Sequence, residues 1–434
     1  MFGTSGIRGP VGETVTADLA LSVGRAVGVD ADRVVVGRDP RASGRLLLDA
    51  LTAGLRETGT DVVDLGEAAT PTVARAVAWE DCDAGVMVTA SHNPAEDNGI
   101  KLWQPSGQAF DEAGRETVEG RLREGEFPLE AWDGLGTRVE GGADERHVAS
   151  IVESVSLSGD APSVVVDLGN GAGRVSVEAL QRVGCHVETL NAQPDGRFPG
   201  RPSEPNEETL TSLCALVGTT DADLGVAHDG DADRMMAVDE TGEFVPKDAL
   251  LAILAAESAD AGEAVACPVE TSLAVEDYLA DRDVRVEYTP VGDVYVAEAL
   301  GGDVTFGGEP SGAWIWPEET LCPDGPLAAA RLVELAADRP LSERVADVPD
   351  YPIRRANVEV GDKSRVMADV RDRVLAEYDG VTTLDGVRVD LGDAWFLIRA
   401  SGTQPLVRVN AEAREADRAE EVLEEARELL ETAR

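Results

Sequence analysis

A serine and a histidine stand side by side in the stretch T-A-S-H-N-P-A-E-D-N-G-I-K, which spans residues 89–101 and follows a short apolar run. Ser91 can be read as a nucleophile, a helix cap or a polar residue in a turn. A serine hydrolase would use His92 as the base for Ser91, but neighbours in sequence seldom satisfy triad geometry. No G-x-S-x-G elbow surrounds this serine either. If Ser91 is a nucleophile, the groups that assist it therefore come from other parts of the chain.

The same stretch ends in Lys101, one of only three lysines among 434 residues. The chain otherwise uses arginine, whose guanidinium stays charged at every ordinary pH. A lysine that remains in such a chain indicates a need for an ammonium group, because the pKa of an ammonium can shift. The alternative is an ordinary surface lysine.

The stretch D-G-D-A-D-R, residues 229–234, has an aspartate at every second position. Alternate carboxylates can converge on one hard cation, here from Asp229, Asp231 and Asp233. With 83 acidic residues in the chain, the pattern can also arise by chance on a solvated loop. A calcium EF-hand would use Glu240 at position 12, but Arg234 stands where that loop requires glycine. The pattern predicts a divalent-cation site, and Mg²⁺ is favoured if the substrate carries phosphate.

Two further loops carry groups suited to a sugar phosphate. G-G-E-P-S-G, residues 307–312, is a glycine-rich turn that by itself indicates only a tight connection. If it lines a site, Glu309 and Ser311 can hydrogen-bond sugar hydroxyls. The second loop is R-A-S-G-T-Q-P-L-V-R-V, residues 399–409. Its backbone N–H groups, hydroxyls and guanidinium groups can surround an anion. The residues that contribute these groups are Arg399, Ser401, Gly402, Thr403 and Arg408. The alternative for this second loop is a polar hairpin turn with surface arginines.

The elements that position these loops repeat a common plan. Three segments, which begin at Arg33, Ser163 and Ala264, each have a short β-branched strand, a turn and a helical pattern. This alternation is typical of parallel strands in α/β layers. Each unit also has a later strand that runs into one of the polar loops, at the end of the strand where open α/β sheets bind ligands.

The end of the chain follows a different pattern. Residues 381–390 and 394–398 alternate like antiparallel strands, and residues 416–434 form an amphipathic helix. The predicted fold class is therefore α/β, with three similar α/β domains of mixed, mostly parallel sheets and a C-terminal α+β domain. Clusters of Gly, Pro and acidic residues predict the domain bounds 1–143, 144–241, 242–348 and 349–434.

Composition excludes several classes of protein. The formal charge of −45 would repel nucleic acid and anionic membranes, and it resembles the adaptation of a whole surface to concentrated salt, as in halophiles. Five scattered cysteines indicate neither a disulfide framework nor a zinc site. The absence of a long apolar run and of an N-terminal signal pattern predicts a cytoplasmic protein.

Together with G-T-S-G-I-R-G-P near the start of the chain, these stretches resemble the motifs of the α-D-phosphohexomutase family. Its enzymes move phosphate between the 1 and 6 positions of hexose phosphates. The resemblance runs from Gly3 to Arg408 in the family's order. It implies four domains around a central cleft, with Ser91 as the phosphorylated serine. It also implies one Mg²⁺ per active site, bound by Asp229, Asp231, Asp233 and the phosphate on Ser91.

The same resemblance assigns the remaining groups. Around the transferred phosphoryl group it places Arg8, His92 and Arg234, and it gives proton transfer to Lys101. The loop of Glu309 and Ser311 would bind the sugar, and the loop of residues 399–409 would bind its non-reacting phosphate. Phospho-Ser91 would phosphorylate one sugar hydroxyl, the bisphosphorylated sugar would turn over, and its other phosphate would return to Ser91. A sugar bisphosphate would then act as activator, and the enzyme would be a monomer or a homodimer.

The chain departs from the family pattern at two positions, of which the first bears on the sugar pocket and the second is expected to be a mild change. Ala313 stands where the family's sugar loop commonly has histidine, and Gln404 stands where glutamate is usual. V-G-D-V-Y-V, residues 291–296, resembles the phosphoglucosamine mutase branch, and we take its archaeal type as the expected branch. Glucosamine 6-phosphate is the first choice, with glucose, mannose and pentose phosphates as alternatives. A phosphatase with the same chemistry and a non-catalytic phosphosugar sensor are the rival functions.

Overall fold

The computed structural model describes residues 3, 6–401 and 406–433. Within these residues the strands form four sheets, and strands alternate with helices along most of the chain. The first sheet belongs to an α/β domain whose elements are β1 (Ile7–Pro10), α1 (Ala17–Gly28), β2 (Arg33–Arg38), α2 (Gly44–Glu57), β3 (Asp61–Glu67), α3 (Thr70–Trp79), β4 (Ala84–Val88), β5 (Asp97–Trp103), α4 (Glu112–Glu124) and β6 (Arg138–Glu140).

The first sheet has the strand order β1-β5-β4-β2-β3-β6. Strand β2 pairs in parallel with β3 and β4, whereas β5 is antiparallel to both β4 and β1. Successive valines of β2 point to opposite faces, as the strand period of two requires. Val34 and Val36 enter one apolar cluster, Val35 enters another, and all three are fully buried. Helices therefore cover both faces of this sheet, with α1 and α2 on one side and α3 on the other.

The second sheet has the order β10-β9-β7-β8, and only its β9–β10 pair is antiparallel. Its elements are α5 (Asp144–Ser154), β7 (Ser163–Asp167), α6 (Arg174–Val183), β8 (His186–Leu190), α7 (Thr211–Val217), β9 (Leu224–His228) and β10 (Met235–Asp239). In the third sheet, β11 pairs in parallel with β12 and β13. Its elements are α8 (Lys247–Ser258), β11 (Ala264–Pro268), α9 (Leu273–Ala280), β12 (Arg285–Thr289), α10 (Asp293–Ala299), β13 (Val304–Glu309), β14 (Ala313–Ile315), α11 (Gly325–Asp338) and α12 (Leu341–Ala346).

The last sheet is fully antiparallel, in the order β15-β19-β18-β17-β16. Its elements are β15 (Ile353–Glu359), α13 (Lys363–Glu377), β16 (Val381–Thr382), β17 (Val387–Asp390), β18 (Ala394–Ala400), β19 (Leu406–Ala413) and α14 (Ala416–Ala433). On α14 the buried residues Val422, Ala426 and Leu430 recur every four positions and pack in the apolar cluster of this sheet.

The chain divides into two compact units, which are described separately below. The first comprises the chain up to Leu250 together with Ser311–Val345, and the second comprises Leu251–Pro310 together with the chain from Ala346 onward. The prediction of three α/β domains followed by an α+β domain is confirmed. The five cysteines lie within the described residues, and none of them forms a disulfide bond there. Among the described helices, none combines the length and apolar character needed to cross a membrane.

Candidate active site

Ser91 follows strand β4 in the first unit and is fully buried. Its φ is +52°, a left-handed conformation that a side chain with a Cβ rarely adopts. Such conformations cost on the order of 1–3 kcal/mol and cluster at functional sites. The Ser91 N–H donates to Thr89 Oγ1 (2.8 Å), and the Ser91 hydroxyl donates to Asp229 Oδ2 (2.6 Å). The backbone of this loop thus aims the serine oxygen at the aspartate loop.

The aspartate loop connects β9 and β10, which pair from His228 and Met235 onward. A strand on each side excludes the EF-hand alternative, which requires helices. Thr70, at the start of α3, holds the loop by donating its N–H to Asp231 O (2.8 Å) and its hydroxyl to Asp231 Oδ2 (2.6 Å). Arg201 donates to His228 O (2.6 Å) at the beginning of the loop.

The three aspartates fit a hard divalent cation. Asp229, Asp231 and Asp233 are buried, and one carboxylate oxygen from each lies within 4.8 Å of the others. Asp231 Oδ1 and Asp233 Oδ1 are buried without a hydrogen-bond partner among the described residues. Unpaired buried carboxylate oxygens are costly in a folded protein. A bound cation such as Mg²⁺ would satisfy both oxygens, so the donor set agrees with the predicted metal site.

Lys101 lies on β5 and bridges two of these aspartates. Its ammonium nitrogen is 2.8 Å from Asp231 Oδ2 and 2.5 Å from Asp233 Oδ2, and the side chain is almost completely buried. Burial alone would lower the pKa of Lys101, but the two carboxylates raise it above its usual value. Burial would raise the pKa of Asp231, and Lys101 brings it below its usual value. Burial and the two neighbouring aspartates raise the pKa of Asp229. In this state Lys101 is a cation that balances the aspartate cluster.

Three more predicted residues surround this cluster. Strand β1 pairs with β5 and so brings Arg8 opposite Gly99 and close to Lys101. The buried atoms Arg8 Nε and His92 Nδ1 have no hydrogen-bond partner among the described residues. Burial, with the positive charges of Arg234 and Arg8, lowers the pKa of His92 to about 3, so its imidazole is neutral at pH 7. The charges of Arg8, Arg234, Lys101 and Asp231 therefore all act on His92.

The residues of the predicted sugar loop divide between the two units. Ser311 is half-buried in the first unit, where the Trp314 indole donates to Met235 O (2.8 Å). Ala313, which stands where the family has histidine, is buried on β14. Glu309 ends β13 in the second unit, and its Oε1 accepts the Gly292 N–H (2.8 Å). This contact ties Glu309 to the segment of residues 291–296.

The predicted phosphate loop lies in the second unit between β18 and β19. Arg399 and Arg408 are directly opposite one another on these strands. Arg399 Nη1 is 2.9 Å from Asp385 Oδ2, and Arg408 is exposed. Ser401 is buried and donates its N–H to Leu406 O (2.9 Å). The predicted residues Gly402 and Thr403 lie outside the described residues.

Some contributors to the site were not predicted. Thr70, Arg201 and Asp385 hold predicted residues in place, and Arg41 contacts the Ser91 loop. No short motif distinguishes them in the sequence. For Arg41 the available signal was its residue type and position, since an arginine shortly after a strand end in so acidic a chain requires a partner.

Comparison with known proteins identifies relatives over the whole chain. Profiles described as phosphoglucomutase/phosphomannomutase alpha/beta/alpha domains I, II and III match residues 1–129, 145–242 and 246–351, and the profile of the C-terminal domain matches residues 356–429. A protein of Methanopyrus kandleri named "Probable phosphoglucosamine mutase" is 46% identical over 439 residues, which cover 98% of this chain and 96% of that protein.

Solved structures resemble the chain as well. The crystal structure of a phosphoglucomutase/phosphomannomutase family protein from Burkholderia thailandensis has a TM-score of 0.88 and 28% identity, and the match covers 100% of this chain and 98% of that one. An N-acetylphosphoglucosamine mutase of Aspergillus fumigatus, in complex with GlcNAc-6P and magnesium, shares the fold at 17% identity and a TM-score of 0.60. That match covers 100% of this chain and 95% of the fungal chain.

Proposed function

Because this chain belongs to the phosphoglucomutase/phosphomannomutase family, we propose that it interconverts glucosamine 6-phosphate and glucosamine 1-phosphate through a phosphorylated Ser91. The chain is an isomerase of the phosphohexomutase class. The name of the 46% identical relative and its match over nearly the full chain support glucosamine phosphate as the substrate. The observation that carries the proposed chemistry is the Ser91 hydroxyl on Asp229, within a cluster of three buried aspartates.

In the proposed reaction, a hydroxyl oxygen of the sugar attacks the phosphorus of phospho-Ser91. A new P–O bond forms, the bond to Ser91 Oγ breaks with its electron pair staying on Oγ, and a base takes the hydroxyl proton. The bisphosphorylated sugar then turns over, and Ser91 Oγ attacks its other phosphorus. The bond from that phosphorus to the sugar oxygen breaks with its electron pair staying on the oxygen, which takes back the proton held by the base. The phosphate is then on the serine again and the isomeric sugar monophosphate leaves, so the total of organic phosphate is unchanged. A sugar bisphosphate can load unphosphorylated enzyme in the same way and serves as activator.

The transition state of phosphoryl transfer spreads negative charge over oxygen atoms, so positive groups supply most of the catalysis. Asp229, Asp231 and Asp233, with the phosphate on Ser91, would hold one Mg²⁺, whose charge would stabilise those oxygens. Arg8, Arg234 and the neutral His92 bind the transferred phosphoryl group. Lys101 is the proposed proton-transfer residue, because it lies beside the cluster and Ala313 offers no histidine in its place. To act as the base, Lys101 first has to lose the proton that Asp231 and Asp233 favour.

Substrate binding is assigned to the remaining predicted residues. Glu309 and Ser311 hold the sugar hydroxyls. The non-reacting phosphate binds to the loop with Arg399, Ser401, Gly402, Thr403 and Arg408. The domain bounds 1–143, 144–241, 242–348 and 349–434, the cytoplasmic location and a monomeric or homodimeric state remain predictions. The net charge of −45 supports the expectation that the partners are small sugar phosphates rather than nucleic acid or membranes.

The proposed function is tested by comparing turnover efficiency on glucosamine, glucose, mannose and ribose phosphates in concentrated potassium chloride with Mg²⁺. We expect the highest kcat/KM for glucosamine 6-phosphate, an equal yield of the 1-phosphate and no inorganic phosphate. Release of inorganic phosphate would indicate a phosphatase instead. Binding of the sugar phosphate without any turnover would indicate the sensor, and a preference for another sugar would overturn the substrate assignment.

A further inference from the structure

Arg41 lies three residues after β2 and is 1% exposed. Its guanidinium donates to four backbone carbonyls in the loop that carries Ser91. The acceptors are Ser91 O (2.8 Å), Asn93 O (2.7 Å), Asp97 O (2.9 Å) and Pro94 O. Each of these charge-assisted bonds is stronger than a bond between neutral groups. A single buried side chain therefore fixes the backbone from residue 91 to residue 97.

A second set of contacts balances the charge of Arg41 and fixes the other side of Ser91. Asp39 Oδ2 accepts from Arg41 Nε (2.9 Å) and from the Thr89 hydroxyl (2.7 Å). Thr89 Oγ1 in turn accepts the Ser91 N–H (2.8 Å). The network thus holds the N–H of Ser91 through Thr89 and the carbonyl of Ser91 through Arg41. With both of these backbone groups bonded, Ser91 is kept in its left-handed conformation.

The second α/β domain completes this arrangement within the first unit. Ser203 donates its hydroxyl to Ser91 O (3.0 Å), and the Phe198 ring centre is 4.9 Å from the guanidinium carbon of Arg41. Gly196 packs on the Arg41 backbone so closely that a Cβ there would be 2.3 Å from Arg41 Cα. The same domain supplies the aspartate loop. Arg41 therefore sits where the Ser91 loop meets the domain that carries the metal ligands.

We propose that Arg41 is a positioning residue for phosphoryl transfer. It holds Ser91 in its left-handed conformation so that Oγ stays aimed at the aspartate cluster when the phosphate is lost and regained. This role rests on the proposed function, in which Ser91 carries the phosphate. A lysine cannot replace Arg41, because an ammonium lacks the planar fork that reaches several carbonyls at once. A misplacement of about 1 Å at a reacting atom costs on the order of 100-fold in rate.

The test compares Arg41→Lys and Arg41→Ala with Arg75→Lys, a control at another buried, ion-paired arginine of the same unit. We expect Arg41→Lys to lower kcat about 100-fold while KM for the sugar phosphate changes less than about twofold, because Arg41 holds the serine and not the sugar. Hydrogen exchange of the amides in residues 89–97 should accelerate in both Arg41 variants and not in Arg75→Lys. Millimolar guanidinium should restore kcat of Arg41→Ala, whereas sodium chloride at equal ionic strength should not.

Wild-type kcat in folded Arg41→Lys, or unchanged exchange in residues 89–97, would overturn the proposal. If Arg41→Ala does not fold, Arg41→Lys and its exchange pattern decide the question. A fall in kcat of the same size in Arg75→Lys would reduce Arg41 to a stabilising residue and would also overturn it. The exchange measurement needs no substrate, so it tests Arg41 even if the wild-type enzyme fails to interconvert any sugar phosphate, a result that would reject the proposed function alone.

Discussion

Arg399 and Arg408 stand directly opposite each other on β18 and β19. Like charges in this arrangement repel, at a cost of roughly 0.2–1 kcal/mol. Asp385 offsets part of the charge on Arg399. The next residue, Gly386, packs closely on the Arg399 backbone, since a Cβ on Gly386 would lie 3.1 Å from Arg399 Cα. The exposed Arg408 is left facing solvent. The repulsion between the two arginines supports the proposal that this loop binds an anion, whose negative charge would offset it.

Arg408→Gln should therefore weaken binding and preserve stability. We expect KM for the sugar phosphate to rise about tenfold or more, because a charge-assisted hydrogen bond contributes about 1.5–3 kcal/mol. The free energy of unfolding without ligand should stay constant or rise by up to about 1 kcal/mol as the repulsion is removed. Steady-state kinetics and denaturant titration measure the two effects. Arg355→Gln, at an exposed arginine of the same sheet, is the control, and an equal rise of KM there would contradict the assignment.

At the scale of elements, helix α3 connects the aspartate loop to α11. Thr70 at its start bonds Asp231, and Arg75 in its second turn donates to Asp324 Oδ2 (2.8 Å). Asp324 caps α11 through the Leu327 N–H (3.0 Å) and also bonds His147 Nε2 (3.0 Å). Because these groups are buried, removal of one partner leaves an uncompensated charge. The cluster around Asp324 thus fixes α3 to the start of α11 and contributes to the stability of the first unit.

Asp324→Asn should destabilise the protein in a pH-dependent way. Burial would raise the pKa of Asp324, but His147 and Arg75 hold it below its usual value. A carboxyl group whose pKa is depressed by folding stabilises the fold at any pH above its pKa in the unfolded chain, which is about 3.9. This contribution is lost as the pH falls below about 4. We expect a loss of about 3 kcal/mol at pH 7 that shrinks as the pH falls below about 4. Denaturant titration at pH 7 and pH 3 measures the free energy of unfolding of the variant and of the wild type. Asp338→Asn, at an exposed aspartate, is the control. A loss that is the same at both pH values would contradict this account.

The elements also show what could be predicted from the sequence. Strands β2, β7 and β11 were predicted because runs of β-branched residues between turns are a local signal. Strand β1 was not, since its four residues have no periodicity and it is stabilised by pairing with β5, about ninety positions away. The expected strand 381–390 is instead interrupted before β17, where Gly386 has a φ of +84°. Local patterns predicted the motifs and the sheet class, whereas long-range pairing determined where Arg8 and Arg41 lie.

At the scale of the whole molecule, a chain with a net charge of −45 has to bind an anionic substrate. Salt screens distant charges, with a Debye length of about 3 Å at 1 M, but it screens buried pairs much less. The positive side chains that are proposed to act on the phosphate lie beside the Ser91 loop. They are Lys101, Arg8 and Arg234, and the charges of all three act on His92. The three buried aspartates offset these charges, so the site would gain the positive charge that a phosphate group needs when a divalent cation binds the aspartates.

In the proposed reaction, Ser91 carries the transferred phosphate. The most direct measurement is a single turnover of enzyme whose Ser91 bears labelled phosphate, mixed with unlabelled glucosamine 6-phosphate and Mg²⁺. We expect label to leave the protein and to appear first in the bisphosphorylated sugar and then in both sugar monophosphates. Ser91→Ala should neither take up label nor turn over. Label that stays on the protein during turnover, or full mutase activity in Ser91→Ala, would contradict the account.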